Sequence, residues 1–115
     1  MPNLASAFGY TNASWTLKCD LTCEYVCRLL NHMRRKRLRQ CTPILKGPPQ
    51  ETAPWLDFSS GYVQRSIDLF PRQGTTAPWR LHQNYALDMA ALRFARLEDG
   101  AMTFTNPAPS ARRAA

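Results

Sequence analysis

Between Trp15 and Arg37 the apolar residues Leu17, Leu21, Tyr25, Leu29 and Met33 recur at every fourth position, and Val26 and Leu30 widen the row into a stripe. Only a helix brings side chains at that spacing onto one side, so the spacing predicts an amphipathic helix about 30 Å long at 1.5 Å per residue. The polar string Thr11-Asn12-Ala13-Ser14 in front of it offers N-cap side chains. Such a helix needs a covering surface as long as itself, and a chain of 115 residues offers little to provide one. At this length there is room for one small domain and no second core.

The segments around the helix are short. Pro2 to Tyr10 is moderately apolar and leads through Gly9 into a turn, which fits a strand. Gln40 to Trp55 contains Pro43, Pro48, Pro49, Pro54 and Gly47, a composition that predicts an extended connector. Ser59 and Ser60 can cap a helix through Tyr62, Val63, Ile67 and Phe70, which Pro71 ends. A second short helix is expected over Leu81 to Leu92, with Tyr85, Met89 and Leu92 on one side. Phe94 to Leu97, the turn Glu98-Asp99-Gly100 and Met102 to Phe104 read as a small hairpin. Past Asn106 a tail rich in Pro, Ala and Arg is expected to be disordered. The expected class is mainly α: a short strand, a long N-terminal amphipathic helix, a Pro-rich connector, two short helices and a small hairpin.

Charge and motif content exclude several functions. The net charge is +7, but Arg34, Arg35, Lys36, Arg37 and Arg39 form one run and Arg112 and Arg113 lie in the tail, so the rest of the chain is balanced. The run reads as a solvated helix end whose cations complement the negative pole of the helix dipole. A small basic module contacting nucleic acid phosphates is the competing reading. There is no complete G-x-G-x-x-G or Walker loop, and His32 and His82 are too far apart for an H-E-x-x-H helix. Neither histidine is assigned a catalytic role, and no metal site is expected. Cys19, Cys23 and Cys27 follow one another at four-residue spacing, which suits reduced thiols packed as small hydrophobes. No apolar run reaches the ~18 residues of a membrane span, and the start lacks the pattern of a signal peptide. The chain is read as soluble and cytoplasmic.

The entry to the long helix admits two readings, an ordinary N-cap and a helix end that faces a ligand. A glycine turn and small polar residues ahead of a helix leave backbone N–H groups directed outward, which favours negative charge on a ligand. At these residues a resemblance enters. Pro2-Asn-Leu-Ala-Ser-Ala-Phe-Gly-Tyr-Thr-Asn-Ala-Ser-Trp-Thr-Leu-Lys18, then Glu24-Tyr-Val-Cys-Arg-Leu-Leu-Asn-His-Met33, is similar to the C-terminal portion of flavin-dependent monooxygenases of the flavin-containing and Baeyer–Villiger type. Phe58-Ser-Ser-Gly-Tyr-Val-Gln-Arg65, Phe70-Pro-Arg-Gln-Gly74, Ala77-Pro-Trp-Arg80 and Gln83-Asn-Tyr85 continue the similarity in the same order. Within that family the blocks resemble the bacterial branch that activates thioamide prodrugs.

The resemblance implies FAD as prosthetic group, NADPH as hydride donor, and transfer of one oxygen atom from O2 to a ketone, sulfur or amine substrate, with the protein shielding the reactive flavin from water. It also implies that this chain is a piece of an α/β fold with two dinucleotide domains. The family's two G-x-G-x-x-G motifs and its F-x-G-x-x-x-H fingerprint are missing, so a C-terminal fragment is expected, inactive alone, with the missing N-terminal part as a partner. By the same resemblance, residues 1–39 close the FAD-binding domain, 40–57 connect, 58–105 form a C-terminal helical subdomain and 106–115 are tail. Asn12, Ala13, Ser14 and Trp15 are the implied FAD-binding residues, because the helix N-terminus there faces the flavin ring, whose reduced form is negative near N1 and O2. A helix face without its family partner also predicts self-association.

Overall fold

The computed structural model describes residues 4–47, 51–55 and 61–107. Pro2, the connector residues Pro48 and Pro49, the expected caps Ser59 and Ser60, and the tail arginines Arg112 and Arg113 lie outside the described residues, as do the side chains of Tyr62 and Val63. The elements in chain order are helix α1 (Trp15–Arg35), strands β1 (Gln40–Pro43) and β2 (Thr52–Pro54), helix α2 (Gly61–Arg65), strand β3 (Arg72–Gly74), helix α3 (Tyr85–Met89) and strand β4 (Met102–Thr105). A 3-10 turn spans Ile67–Leu69, and a π turn, Ala90–Phe94, continues α3. The chain divides into two compact units, one made of Met1–Leu45 with Gln83–Ala115, the other of Lys46–His82.

In the first unit α1 packs against α3 and its π extension. Leu21, the second residue of the four-residue row, is 2% exposed and forms the core with Tyr10. Arg28 fixes the π turn from α1: its guanidinium donates to the carbonyl of Leu92 and, at 2.7 Å, to that of Ala95. Glu24 accepts both nitrogens of the Arg93 fork at 2.7 and 2.6 Å, a bidentate pair on the same side. β1 and β4 pair antiparallel, with Cys41 opposite Phe104 and Thr42 opposite Thr103.

The helix ends in a hydrogen-bonded cap. Arg37 takes the left-handed φ of 54°, Leu38 N–H reaches Met33 O at 2.8 Å and Arg37 N–H reaches Arg34 O at 3.2 Å. These are the two bonds of a Schellman motif, closed here without the usual glycine.

In the second unit β2 pairs antiparallel with β3, Ala53 opposite Gln73. Arg72 reinforces the pair by donating to Thr52 Oγ1 at 2.7 Å and to Thr52 O at 3.0 Å. Gln73 Nε2 donates to Pro54 O at 2.8 Å, and its Oε1 accepts from Leu81 N at 2.8 Å, so one side chain ties the strand pair to the end of the unit.

Four sequence expectations are corrected. Leu4 to Tyr10 is irregular, because no strand among the described residues lies beside it to complete a ladder. The Pro-rich connector holds two short strands; Pro43 and Pro54 are the last residues of β1 and β2, where a missing N–H costs little. The hairpin is replaced by a long-range pair. The Asp99–Gly100 turn forms, with Gly100 at φ 91° and Asp99 Oδ1 accepting from Ala101 N, but β4 pairs with β1 while 90–94 stays helical under the Arg28 bonds. Finally, Cys23 and Cys27 are exposed and only Cys19 is half-buried, so the cysteine row turns along the edge of the packed face. The two short helices are present in contracted form, α2 with its 3-10 turn and α3 with its π turn.

Candidate functional site

The start of α1 is built by a close approach. Phe8 and Trp15 stack at 4.5 Å between ring centroids with planes tilted by 60°, which folds the chain before the helix back on its first residue. Gly9 lies inside that fold: a Cβ there would come within 2.7 Å of Trp15 Cα and closer still to the indole. Only a residue without a side chain fits. Thr11 and Asn12 are held from α3's leading edge, where Gln83 Oε1 accepts from Thr11 N at 3.0 Å and Gln83 O accepts from Asn12 Nδ2 at 3.2 Å.

All four implied FAD-binding residues sit together at this helix end, and all are exposed, Trp15 by 49%. Ser14 occupies the N-cap position, yet its hydroxyl pairs with Thr16 Oγ1 at 2.9 Å and makes no capping bond. The first turn contains no acidic residue. The N-cap side chain therefore leaves the N-terminal N–H groups of α1 uncapped, and no carboxylate in the first turn offsets the positive pole of the helix.

One turn below lies a buried polar cluster that sequence reasoning missed. Asp88 Oδ2 accepts from Lys18 Nζ at 2.5 Å and from Tyr10 Oη at 2.7 Å, and the Lys18 ammonium lies 5.3 Å from the Tyr10 ring centroid. The Lys18 and Asp88 side chains are 10% and 6% exposed, so the pair is shielded from solvent. Burial, then the hydrogen bond and charge of Asp88, push the Tyr10 phenol well above its ordinary value and keep it protonated. The cluster joins the loop before α1, α1 itself and α3, and thereby fixes the height of the helix start.

At the other end of α1, Glu98 Oε1 meets His32 Nε2 at 2.8 Å and Lys36 Nζ at 2.6 Å. Hydrogen bonds from Lys36 and then His32 hold the Glu98 carboxyl below its usual range. The His32 ring also stands edge-on to Phe104 at 5.5 Å, so it is a packed, bonded side chain. His82 belongs to the other unit. Among the described residues no group of three His, Cys, Asp or Glu could hold a metal ion, and no helix is long and apolar enough to cross a membrane.

The chain that presents this helix start is similar in sequence to FAD-containing monooxygenases. The particular relatives are 43% identical over 105 residues in the FAD-containing monooxygenase EthA of Mycolicibacterium smegmatis, covering 91% of this chain and 21% of that protein. The EthA protein of Mycobacterium tuberculosis is 46% identical over 110 residues, covering 95% of this chain and 22% of its own length. The flavin-monooxygenase resemblance read from the sequence is thus borne out over nearly the whole chain, which spans about a fifth of the length of the curated relatives it matches. No family model matches the chain, and no solved structure matches it.

Proposed function

We propose that this chain supplies one wall of the flavin site of an FAD- and NADPH-dependent monooxygenase that inserts oxygen into ketone, sulfur or amine substrates, and that it does not turn over alone. The observation that carries the reading is the 43 to 46% identity to FAD-containing monooxygenases along 91 to 95% of the chain. The helix start fits the group: its exposed N–H donors have no side-chain acceptor and its first turn has no carboxylate to repel an anion. Residues 1–39 close the FAD-binding domain in this reading, and Asn12, Ala13, Ser14 and Trp15 face the flavin.

Bound FAD would supply the oxygen chemistry, with NADPH as its reductant. The chain's own residues hold and shape. Trp15 and Phe8 form an apolar flank that excludes water, and the N–H groups following Ser14 stabilise negative charge on the ring system. The buried Lys18, Asp88 and Tyr10 cluster sets the helix in place. The competing reading, nucleic acid binding by Arg34 to Arg39, finds no support in the relatives.

A chimera tests this. The matching segment of the Mycolicibacterium smegmatis relative is replaced by this chain, and flavin content and NADPH consumption are measured. The chimera is expected to purify with FAD and to oxidise NADPH; a folded but flavin-free chimera overturns the reading. In parallel, the isolated chain is titrated with FAD. Weak binding is expected, whereas tight stoichiometric binding with NADPH oxidation shows that the chain needs no other domain.

A further inference from the structure

The second half of α1 and the segment 96–98 line a cleft of about 540 Å³. Four cations line it, Arg28, Arg35, Lys36 and Arg96, against one carboxylate, Glu98, so the lining carries a net +3 with His32 neutral. These cations have different employment. Arg28 is spent on the carbonyls of Leu92 and Ala95 and builds the wall. Lys36 and His32 share Glu98. Arg35 and Arg96 are exposed and have no hydrogen bond or ion pair among the described residues.

A cleft at a helix C-terminus ordinarily meets the negative pole of the dipole. Here the carbonyls of His32, Met33 and Arg34 are already taken by the backbone N–H groups of Lys36, Leu38 and Arg37, so the last turn offers little repulsion. We propose that this cleft binds a diphosphate group, with the two free guanidiniums of Arg35 and Arg96 as its forks and the Lys36 ammonium as a third contact. Planar guanidiniums engage phosphate oxygens in pairs, and two linked phosphoryl groups match the net charge of the lining where a single carboxylate does not. Leu97 is the one apolar side chain in the lining, so a base would find no apolar wall there. The recognised unit is the diphosphate itself. This inference is independent of the flavin reading, which concerns the opposite end of α1.

The experiment titrates the purified chain with inorganic pyrophosphate at low salt and follows the His32 ring and arginine side-chain signals by NMR. Saturable shifts are expected, weakened about tenfold in the double variant Arg35→Ala with Arg96→Ala. Arg34 does not line the cleft, so Arg34→Ala is the control and retains full affinity. ADP is expected to bind no tighter than pyrophosphate, and adenosine not at all. Absence of saturable shifts, or an Arg34→Ala loss equal to that of the double variant, overturns the site in favour of a diffuse basic run. ADP binding tenfold tighter than pyrophosphate overturns the ligand class. Circular dichroism of the variants confirms the fold, which two exposed, unpartnered side chains do not support.

Discussion

Lys18 and Asp88 are a charged pair planted in apolar stripes, and that is where a single substitution has its largest effect. Lys18 lies three residues before Leu21 on the covered side of α1, and Asp88 lies three after Tyr85 on the side of α3 that carries Leu92. An opposite charge in each of two amphipathic stripes was the available signal for a buried pair. The stripes were legible in the sequence; their mutual facing was not, because α1 and α3 are joined only through long-range packing. Asp88→Asn leaves an ammonium buried without its counter-charge and is expected to destabilise the chain by about 3 kcal/mol, read from the urea midpoint. Lys18→Met with Asp88→Leu should recover part of that loss, since an apolar pair carries no charge desolvation cost while the buried Tyr10 hydroxyl loses its acceptor. Equal losses in the single and double variants would show that the pair is not coupled. Tyr10 adds a pH dependence of definite sign. Its folded value is raised above the ordinary 10.0, so its contribution is complete below that value and is lost as pH rises past it, when the unfolded phenol ionises. Burial raises Tyr25 and Cys41 in the same direction. The urea midpoint should therefore fall on the alkaline side, and Tyr10→Phe should shrink that fall without abolishing it.

Helix α1 was the most legible element, and its two ends make opposite demands. Its bounds follow the four-residue row closely, because that row decides which face packs whatever surrounds it. Of the short strands only β4 was legible, as the arm Met102 to Phe104, and its partner was not: β1 and β4 join positions some sixty apart, which no local pattern encodes. The N-cap chemistry of Asn12 to Ser14 was visible, but not that the Ser14 hydroxyl turns to Thr16. Ser14→Asp separates stability from function there. A carboxylate at the N-cap should stabilise the helix by about 0.5 to 1 kcal/mol. In the chimera it should lower flavin content if the proposed site holds, because it neutralises the helix pole that the proposal turns toward the ring. A rise in both quantities would remove the flavin from this helix end. At the other terminus Arg37 holds φ 54° without being glycine. Arg37→Gly relieves that strain and should raise the thermal midpoint, by about 1 kcal/mol of stability. An unchanged or lower midpoint would mean that the arginine side chain contributes more than its backbone costs.

At the scale of the whole chain, the described residues leave much of their apolar surface uncovered. Among the described residues Tyr10 and Leu21 are the buried hydrophobics, while ten large ones are exposed, including Leu30 at 60%, Leu87 at 54% and Phe94 at 71%. Single exposed leucines are ordinary on a protein surface, but here the usual proportion of buried to exposed is reversed. The long stripe on α1 explains why. Leu21 is buried, whereas Leu17 before it and Leu30 after it stay in contact with solvent. Such surface is expected to find a partner, and in the isolated chain the available partner is another copy. Light scattering should show mass rising with concentration above the 13.1 kDa of one chain. Leu30→Lys with Phe94→Lys should suppress that rise without lowering the urea midpoint, since both side chains are already in water. A monomer at every concentration would show that the exposed stripe is tolerated as it stands. The chimera then gives the complementary reading: if the matching domains of a relative cover this surface, the same lysine pair should cost the chimera stability that it does not cost the isolated chain.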